Sequence, residues 1–266
     1  MKKISFLFLI YDQIHHEDLW KAFFNGVDPN LYTIHIHYKT QKPLKWFEAH
    51  KLKQTIDTKY ADYSLILAHN RLLEEALKDA DVYKTINLSQ SCIPLKPFQT
   101  VYDELTSTPC SIFNEAPQNQ CERCTSLFPY IRKDKVFKSS NWFILNREHA
   151  LIATQSHREM EWFRSIESPE EHYFITIIRA KTKSRTIITT QNECESATTF
   201  TNWEGYDYKY VHNYGLKRYH DISFEELTHL LKAPCLFGRK FEQGCTVAGA
   251  IPLDAYLPAF ISKMSF

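Results

Sequence analysis

The chain has 266 residues, 44% of them hydrophobic and 14% aromatic, which is enough apolar side chain to fill a substantial core and excludes a disordered tail protein. Its 32 Lys and Arg are balanced by 31 Asp and Glu, so no overall field draws in a nucleic-acid backbone and any phosphate contact has to be local. Seven cysteines, an odd number at irregular spacing in a chain long enough to fold without staples, read as mostly free thiols in a reducing compartment.

The first ten residues carry the lysines and apolar run of a signal peptide. The run stops at Tyr11-Asp12 without a small-residue cleavage site, and it is far too short to cross a bilayer. A buried strand over 4–11 is expected instead, and with it a soluble, cytoplasmic protein with no transmembrane segment. An amphipathic helix follows over 17–24, then a strand over 31–37. Leu65, Leu72, Leu73, Ala76 and Leu77 repeat at helical spacing over 65–77, and 82–88 reads as another strand. Strands alternating with helices predict an α/β fold, a mostly parallel sheet covered on both faces.

Residues 106–140 are irregular, with prolines at 109, 117 and 129, as binding loops often are. A strand over 142–145 and a helix over 147–153 come next, then a Ser168-Pro169 turn and a helix over 170–178. Ser168 as N-cap with Glu171 at the third helical position would form a capping box. No repeat, linker or low-complexity tract appears, so one domain is expected.

Chemistry concentrates in two places. Glu170 and Glu171 are adjacent acids behind a turn, and a carboxylate so placed can take a proton from an alcohol; acids in a helix's first turn also have a purely structural use. Arg239 and Lys240 lie between Phe237 and Phe241, so the segment is half buried and its cations need an anionic partner such as a diphosphate. Lys217-Arg218 is a second basic pair. Cys121-Glu122-Arg123-Cys124 is a lone CxxC without the second pair a zinc site requires, and His35 and His37, on one side of a strand, are more simply structural. Asp79 and Asp81 are turn formers at the end of a helix, so no metal site is predicted.

These segments, in this order, resemble the core-2/I-branching β-1,6-N-acetylglucosaminyltransferase family. Ile86-Asn87-Leu88-Ser89-Gln90-Ser91-Cys92-Ile93-Pro94-Leu95 is similar to its "LLSESCIPLYSF" signature and Lys138-Ser139-Ser140-Asn141-Trp142-Phe143-Ile144-Leu145-Asn146-Arg147 to "KGSQWFVLNR". Ser168-Pro169-Glu170-Glu171-His172 is similar to "SPDEH" and Phe237-Gly238-Arg239-Lys240-Phe241 to "FARKF".

The resemblance implies a GT-A glycosyltransferase fold with a Rossmann-like central sheet, a nucleotide-binding part over about 1–105, and an acceptor and catalytic part over about 106–266. It implies inverting transfer without a metal cofactor, from a nucleotide sugar such as UDP-N-acetylglucosamine or UDP-xylose to a glycan acceptor. Glu171 falls on the general base and Lys240 on a diphosphate contact, with Arg239 beside it. A further contact falls at Lys217 or Arg218, between which the spacing does not choose. Tyr11 and His37 are expected near the nucleotide; Trp203, Glu115 and Trp142 are expected near the acceptor. A nucleotide- or glycan-binding protein without turnover, and a glycoside hydrolase using Glu170 or Glu171, are the rival classes.

Overall fold

The computed structural model describes residues 1–116, 118–182, 184–190, 198–202 and 216–262. In chain order the elements are β1 (Lys3–Ile10), α1 (Glu17–Phe24), β2 (Tyr32–Tyr38), α2 (Ser64–Leu77), β3 (Val82–Ser89), β4 (Ile93–Pro94) and α3 (Phe98–Ser107). Then come β5 (Ser111–Asn114), β6 (Ile144–Asn146), α4 (Arg147–Gln155), a short α5 (His157–Met160), α6 (Glu170–Lys181), β7 (Ile187–Thr190) and β8 (Thr199–Thr201). The chain continues through β9 (Tyr219–Ile222), α7 (Phe224–Lys232), β10 (Phe237–Arg239), β11 (Phe241–Val247), β12 (Ile251–Pro252), α8 (Leu253–Tyr256) and α9 (Pro258–Ile261).

Among the described residues the main sheet has the order β2-β1-β3-β6-β5-β7. β2 and β3 run parallel to β1, and β5 runs parallel to β7. β6 is antiparallel to both its neighbours, so one strand of six opposes the rest. The α/β expectation therefore holds, with strands from both halves of the chain sharing one sheet.

Alternation along β1 assigns its two faces. Ile4, Phe6, Phe8 and Ile10 join the core formed with Leu19, Trp20, Phe23 and Phe24 of α1, whereas Leu7 packs with Ile66, Leu72 and Leu73 of α2 and the apolar side of α6. Phe6 alone meets Trp20, Phe23, Phe24, Phe98 and Phe237 with ring centroids 5.0–6.4 Å apart. α2 is turned slightly from the expected face: Ile66, Leu72, Leu73 and Ala76 are fully buried, while Leu65 and Leu77 are half-buried.

One local expectation fails. Ser168 does not cap α6: its backbone is left-handed (φ 49°), Pro169 occupies the N-cap position, and no side chain caps the helix. The Ser168 amide instead donates to Ala61 O at 2.9 Å, tying the entrance of α6 to the turn before α2. Ala61 is also left-handed (φ 54°). For residues other than glycine that conformation costs roughly 1–2 kcal/mol each, so the junction is maintained against strain.

Candidate functional site

Because parallel strands of an open α/β sheet end on one side, their carboxyl ends and following turns form a natural crevice. Here the turns after β1 and β3 are joined by a bond from the Tyr11 amide to Gln90 Oε1 at 2.7 Å. His15 continues the link: its amide donates to Gln90 O (2.9 Å) and its ring Nδ1 pairs with Phe241 O (3.1 Å). The Phe241 amide donates to Ser91 O at 3.0 Å. These bonds hold the Arg239-Lys240 segment against the sheet's open end, with the flanking Phe237 and Phe241 fully buried as anchors.

Lys240 is half-buried, and among the described residues no hydrogen bond or ion pair reaches its ammonium. Burial, followed by the charges of Arg239 and Arg218, lowers its pKa from the ordinary lysine value. An arriving anion would relieve that electrostatic pressure. Arg218 is exposed and makes one contact to Glu242 at 3.1 Å. Lys217 faces elsewhere: Glu226 holds its ammonium through both carboxylate oxygens at 2.9 Å, and the same Glu226 accepts the Tyr219 hydroxyl at 2.7 Å.

The two acids have different surroundings. Glu171, a quarter exposed at its side chain, is held through Oε2 by Arg123 and, at 3.6 Å, by Lys138; among the described residues nothing bonds Oε1. Arg123 also donates through Nε to His172 Nε2 (3.1 Å), while His172 Nδ1 donates to Phe137 O (2.9 Å). That arrangement needs a neutral imidazole, and burial, reinforced by Arg123 and Lys138, pushes the His172 pKa down to about 4.

Glu170 is only 4% exposed. Burial pushes its pKa up to about 7, against the hydrogen bond that Oε1 accepts from Asn141 Nδ2 at 3.1 Å; the neighbouring Glu171 charge adds to the rise. Glu170 Oε2 and Asn141 Oδ1 are both buried acceptors without a donor. A proton on Oε2 supplies the donor that the pair lacks. Glu170 thus keeps its proton to a higher pH than an ordinary glutamate, and Glu171 is the carboxylate that reaches solvent.

The dipeptide Asn141-Trp142 joins the acids to the cations. Asn141 bonds Glu170, and the next residue, Trp142, carries the Arg239 guanidinium over its ring at 4.0 Å. Successive Cα atoms are about 3.8 Å apart, so the carboxylates and the Arg239-Lys240 segment flank one short stretch of chain.

Of the residues expected at the site, Tyr11, Arg239, Lys240 and Arg218 lie near this end of the sheet, and Glu171 follows Glu170, which Asn141 bonds; Tyr11 is 56% exposed. His37 does not line it: the residue is fully buried, its Nε2 accepts the Ile56 amide at 2.8 Å, and burial lowers its pKa to about 4. Glu115 lies beside Ser139, whose amide donates to Glu171 O (2.8 Å), but both its oxygens are taken by Arg179 at 2.6 and 2.7 Å. Trp142 sits with the cations, one ring face covered by Arg239. Trp203 lies outside the described residues. Asp79 bonds Lys3 at 2.7 Å and its own turn, and no group of three His, Cys, Asp or Glu gathers among the described residues.

Arg123 and Lys138 were not anticipated. The first lies inside the CxxC and the second opens the block similar to "KGSQWFVLNR". A cavity of about 560 Å³ opens elsewhere, at the β2 edge beside His35, Lys53 and Arg71; Arg71, Lys78 and Lys51 there are paired with Glu74, Glu75 and Glu48.

Among the described residues the sheet is that of an α/β protein, mostly parallel with one reversed strand. The sequence profile of the Core-2/I-Branching enzyme family matches residues 4–231, and the chain belongs to that family. Glycosyltransferase BC10 of Oryza sativa subsp. japonica is 25% identical over 170 residues, 61% of this chain and 43% of that protein, so the match spans less than half of the relative's length. Crystal structures of LgtC are distant likenesses. An active-site mutant aligns at 8% identity over 88% of this chain and 86% of its own, with a TM-score of 0.44. The galactosyltransferase in complex with donor and acceptor sugar analogs aligns at 9% identity over 90% and 88%, with a TM-score of 0.43. No described helix is long and apolar enough to cross a membrane.

Proposed function

We propose that the protein is an inverting glycosyltransferase. It would move a sugar, N-acetylglucosamine from UDP-N-acetylglucosamine in the first place and xylose from UDP-xylose in the second, to a hydroxyl of a glycan acceptor. The observation that supports this reading is that Asn141 bonds the buried Glu170, neighbour of the solvent-reaching Glu171, while the next residue, Trp142, stacks under the Arg239 guanidinium beside Lys240.

Glu171 Oε1 takes the proton of the acceptor hydroxyl as its oxygen bonds to the sugar's C1. The C1–O bond to the diphosphate breaks on the opposite face, and the electron pair leaves with the nucleoside diphosphate. Lys240, Arg239 and Arg218 meet the growing phosphate charge, which gives basic side chains the task a divalent cation performs elsewhere. Arg123 and Lys138 fix Oε2, leaving the other oxygen aimed at the acceptor. Glu170, buried against Asn141, serves as support.

The test is calorimetric titration of UDP and uridine into wild type and Lys240→Ala, with turnover measured for Glu171→Gln. Lys240→Ala should lose affinity for UDP and keep it for uridine. Glu171→Gln should keep UDP binding while transfer falls by roughly a hundredfold to ten-thousandfold. Equal loss of both ligands, or normal turnover without the Glu171 carboxylate, would refute the assignment.

A further inference from the structure

We propose that His15 and Gln90 are positioning residues for donor binding: the Gln90 amide holds a neutral His15 ring in one tautomer, and that ring fixes the backbone beside Lys240. The role rests on the reading above of Lys240 as a diphosphate contact; the bonds themselves do not depend on it.

The bonds assign the protons. The Tyr11 amide can only donate, so the Gln90 atom that it meets at 2.7 Å is the oxygen, and the other terminal atom is the NH2 nitrogen. That nitrogen can only donate, so His15 Nε2, 3.1 Å away, accepts. A ring that accepts at Nε2 is neutral and carries its proton on Nδ1, which lies 3.1 Å from the acceptor Phe241 O. The relay therefore runs in one direction, from the turn after β1, through the turn after β3, to the first residue of β11. Protonation of Nε2 would set two donors face to face and break it.

The surroundings favour the neutral ring. The His15 side chain is 9% exposed, and burial lowers its pKa, against the pull of the Phe241 carbonyl, Glu242 and Asp12, while His16 adds to the lowering. Both acids are already engaged: Glu242 by Arg218 at 3.1 Å and Asp12 by Lys42 at 3.5 Å.

What the relay holds is the residue after Lys240. Phe241 is tied at its carbonyl by His15, at its amide by Ser91 O (3.0 Å), and at its ring by stacking on Tyr219 with centroids 4.6 Å apart. Lys240 O accepts the Tyr219 amide at 2.8 Å. The backbone at Lys240 is thus pinned, whereas among the described residues nothing bonds its ammonium. A cation with a fixed base and a free head is preorganised for an anion, because less order is lost when the anion arrives.

The experiment titrates UDP and uridine calorimetrically into wild type, His15→Ala, His15→Asn and Gln90→Glu, from about pH 6.5 to about pH 8. His15→Ala should lose about threefold to tenfold in UDP affinity and keep its uridine affinity, and His15→Asn, whose amide can still donate to Phe241 O, should recover most of the loss. Gln90→Glu keeps the shape but replaces the donor by a carboxylate, which needs a protonated ring and so raises the His15 pKa. Its relay is complete at the acid end and lost as pH rises through the raised value. UDP affinity relative to wild type at the same pH, a ratio from which the titration of UDP itself cancels, should therefore fall with rising pH. A deficit that does not vary with pH, unchanged UDP affinity in His15→Ala, or equal loss of UDP and uridine overturns the role. If His15→Ala does not fold, the pH slope of Gln90→Glu decides. Absence of UDP binding in wild type overturns the donor reading and the role with it, whereas normal binding with no effect of either variant overturns the role alone.

Discussion

Replacing Glu170 by Gln should flatten the protein's stability between pH 5 and pH 8 without removing its base. In the folded chain the carboxyl titrates at about 7 because it is buried, whereas its ordinary value is 4.5. Between those values the folded state keeps a proton that the unfolded state has released, so stability falls as pH rises and is fully present only below the unfolded value. A shift of 2.5 units corresponds to about 3 kcal/mol lost on passing from below pH 4.5 to above pH 7. Glutamine imitates the neutral acid: its amide oxygen can accept from Asn141 Nδ2 and its amide can donate to the unsatisfied Asn141 Oδ1. The variant should therefore match wild type near pH 5 and exceed it near pH 8 by about 3 kcal/mol, or on the order of 5–10 °C in melting temperature. Denaturant unfolding at each pH, read as the difference between the two proteins, isolates this group from the paired surface acids whose contribution has the opposite sign. Parallel stability curves would show that Glu170 is not a proton-retaining acid and that its support of Asn141 rests on the charged form.

Three further outcomes follow from the geometry. Activity should survive EDTA, and Asp79→Asn with Asp81→Asn should leave turnover within a factor of about two, since these acids serve a turn; loss on chelation with rescue by manganese would refute the metal-free reading. Lys240→Arg should recover only part of the UDP affinity lost in Lys240→Ala, because a planar fork replaces a point charge, as titration of UDP would show. Ala61→Gly, at a left-handed residue, should raise stability by up to ~1 kcal/mol after the unfolded-state entropy of glycine is subtracted, measured by denaturant unfolding.

The regular part of the chain was legible because its signals are local. The apolar run over residues 4–11 and helical spacing over 17–24 each marked one element, and α1 spans the residues its amphipathic pattern marks. What escaped was set by tertiary partners. Ser168 reads as an N-cap by residue type, but its amide is claimed by Ala61 O, more than a hundred residues earlier, and the backbone turns left-handed instead. His37 carries the residue type of a ligand contact, yet a loop amide from Ile56 occupies its ring nitrogen inside the protein. Arg123 had no sequence signal at all, because its meaning lies in reaching Glu171 and His172 from an irregular segment. The acids and cations themselves were visible as short motifs; that Asn141-Trp142 joins them was not, since the link runs through side chains on β10, α6 and the segment before β6.

The adjacent pair Lys217-Arg218 is where the structure adds most to the sequence, and it yields a separable prediction. Spacing alone left both open as the second diphosphate contact. Lys217 already has an anion: Glu226, its side chain 13% exposed, binds the ammonium with both oxygens and accepts the Tyr219 hydroxyl as well, closing a small network over β9 and α7. Arg218 is exposed, and its charge adds to the lowering of the Lys240 pKa, behind burial and Arg239. Lys217→Met should therefore act on stability, by roughly 1–3 kcal/mol, because the partly buried Glu226 is left with the Tyr219 hydroxyl. It should leave UDP affinity as it was. Arg218→Ala should do the reverse, weakening UDP several-fold at low salt with little effect on unfolding, since its one contact to Glu242 is solvent-exposed. Unfolding curves and UDP titrations on the two variants separate the cases cleanly. If Lys217→Met loses UDP while keeping its stability, the lysine must leave Glu226 when the donor arrives, and the diphosphate site would have to be drawn around Lys217 and Lys240 instead.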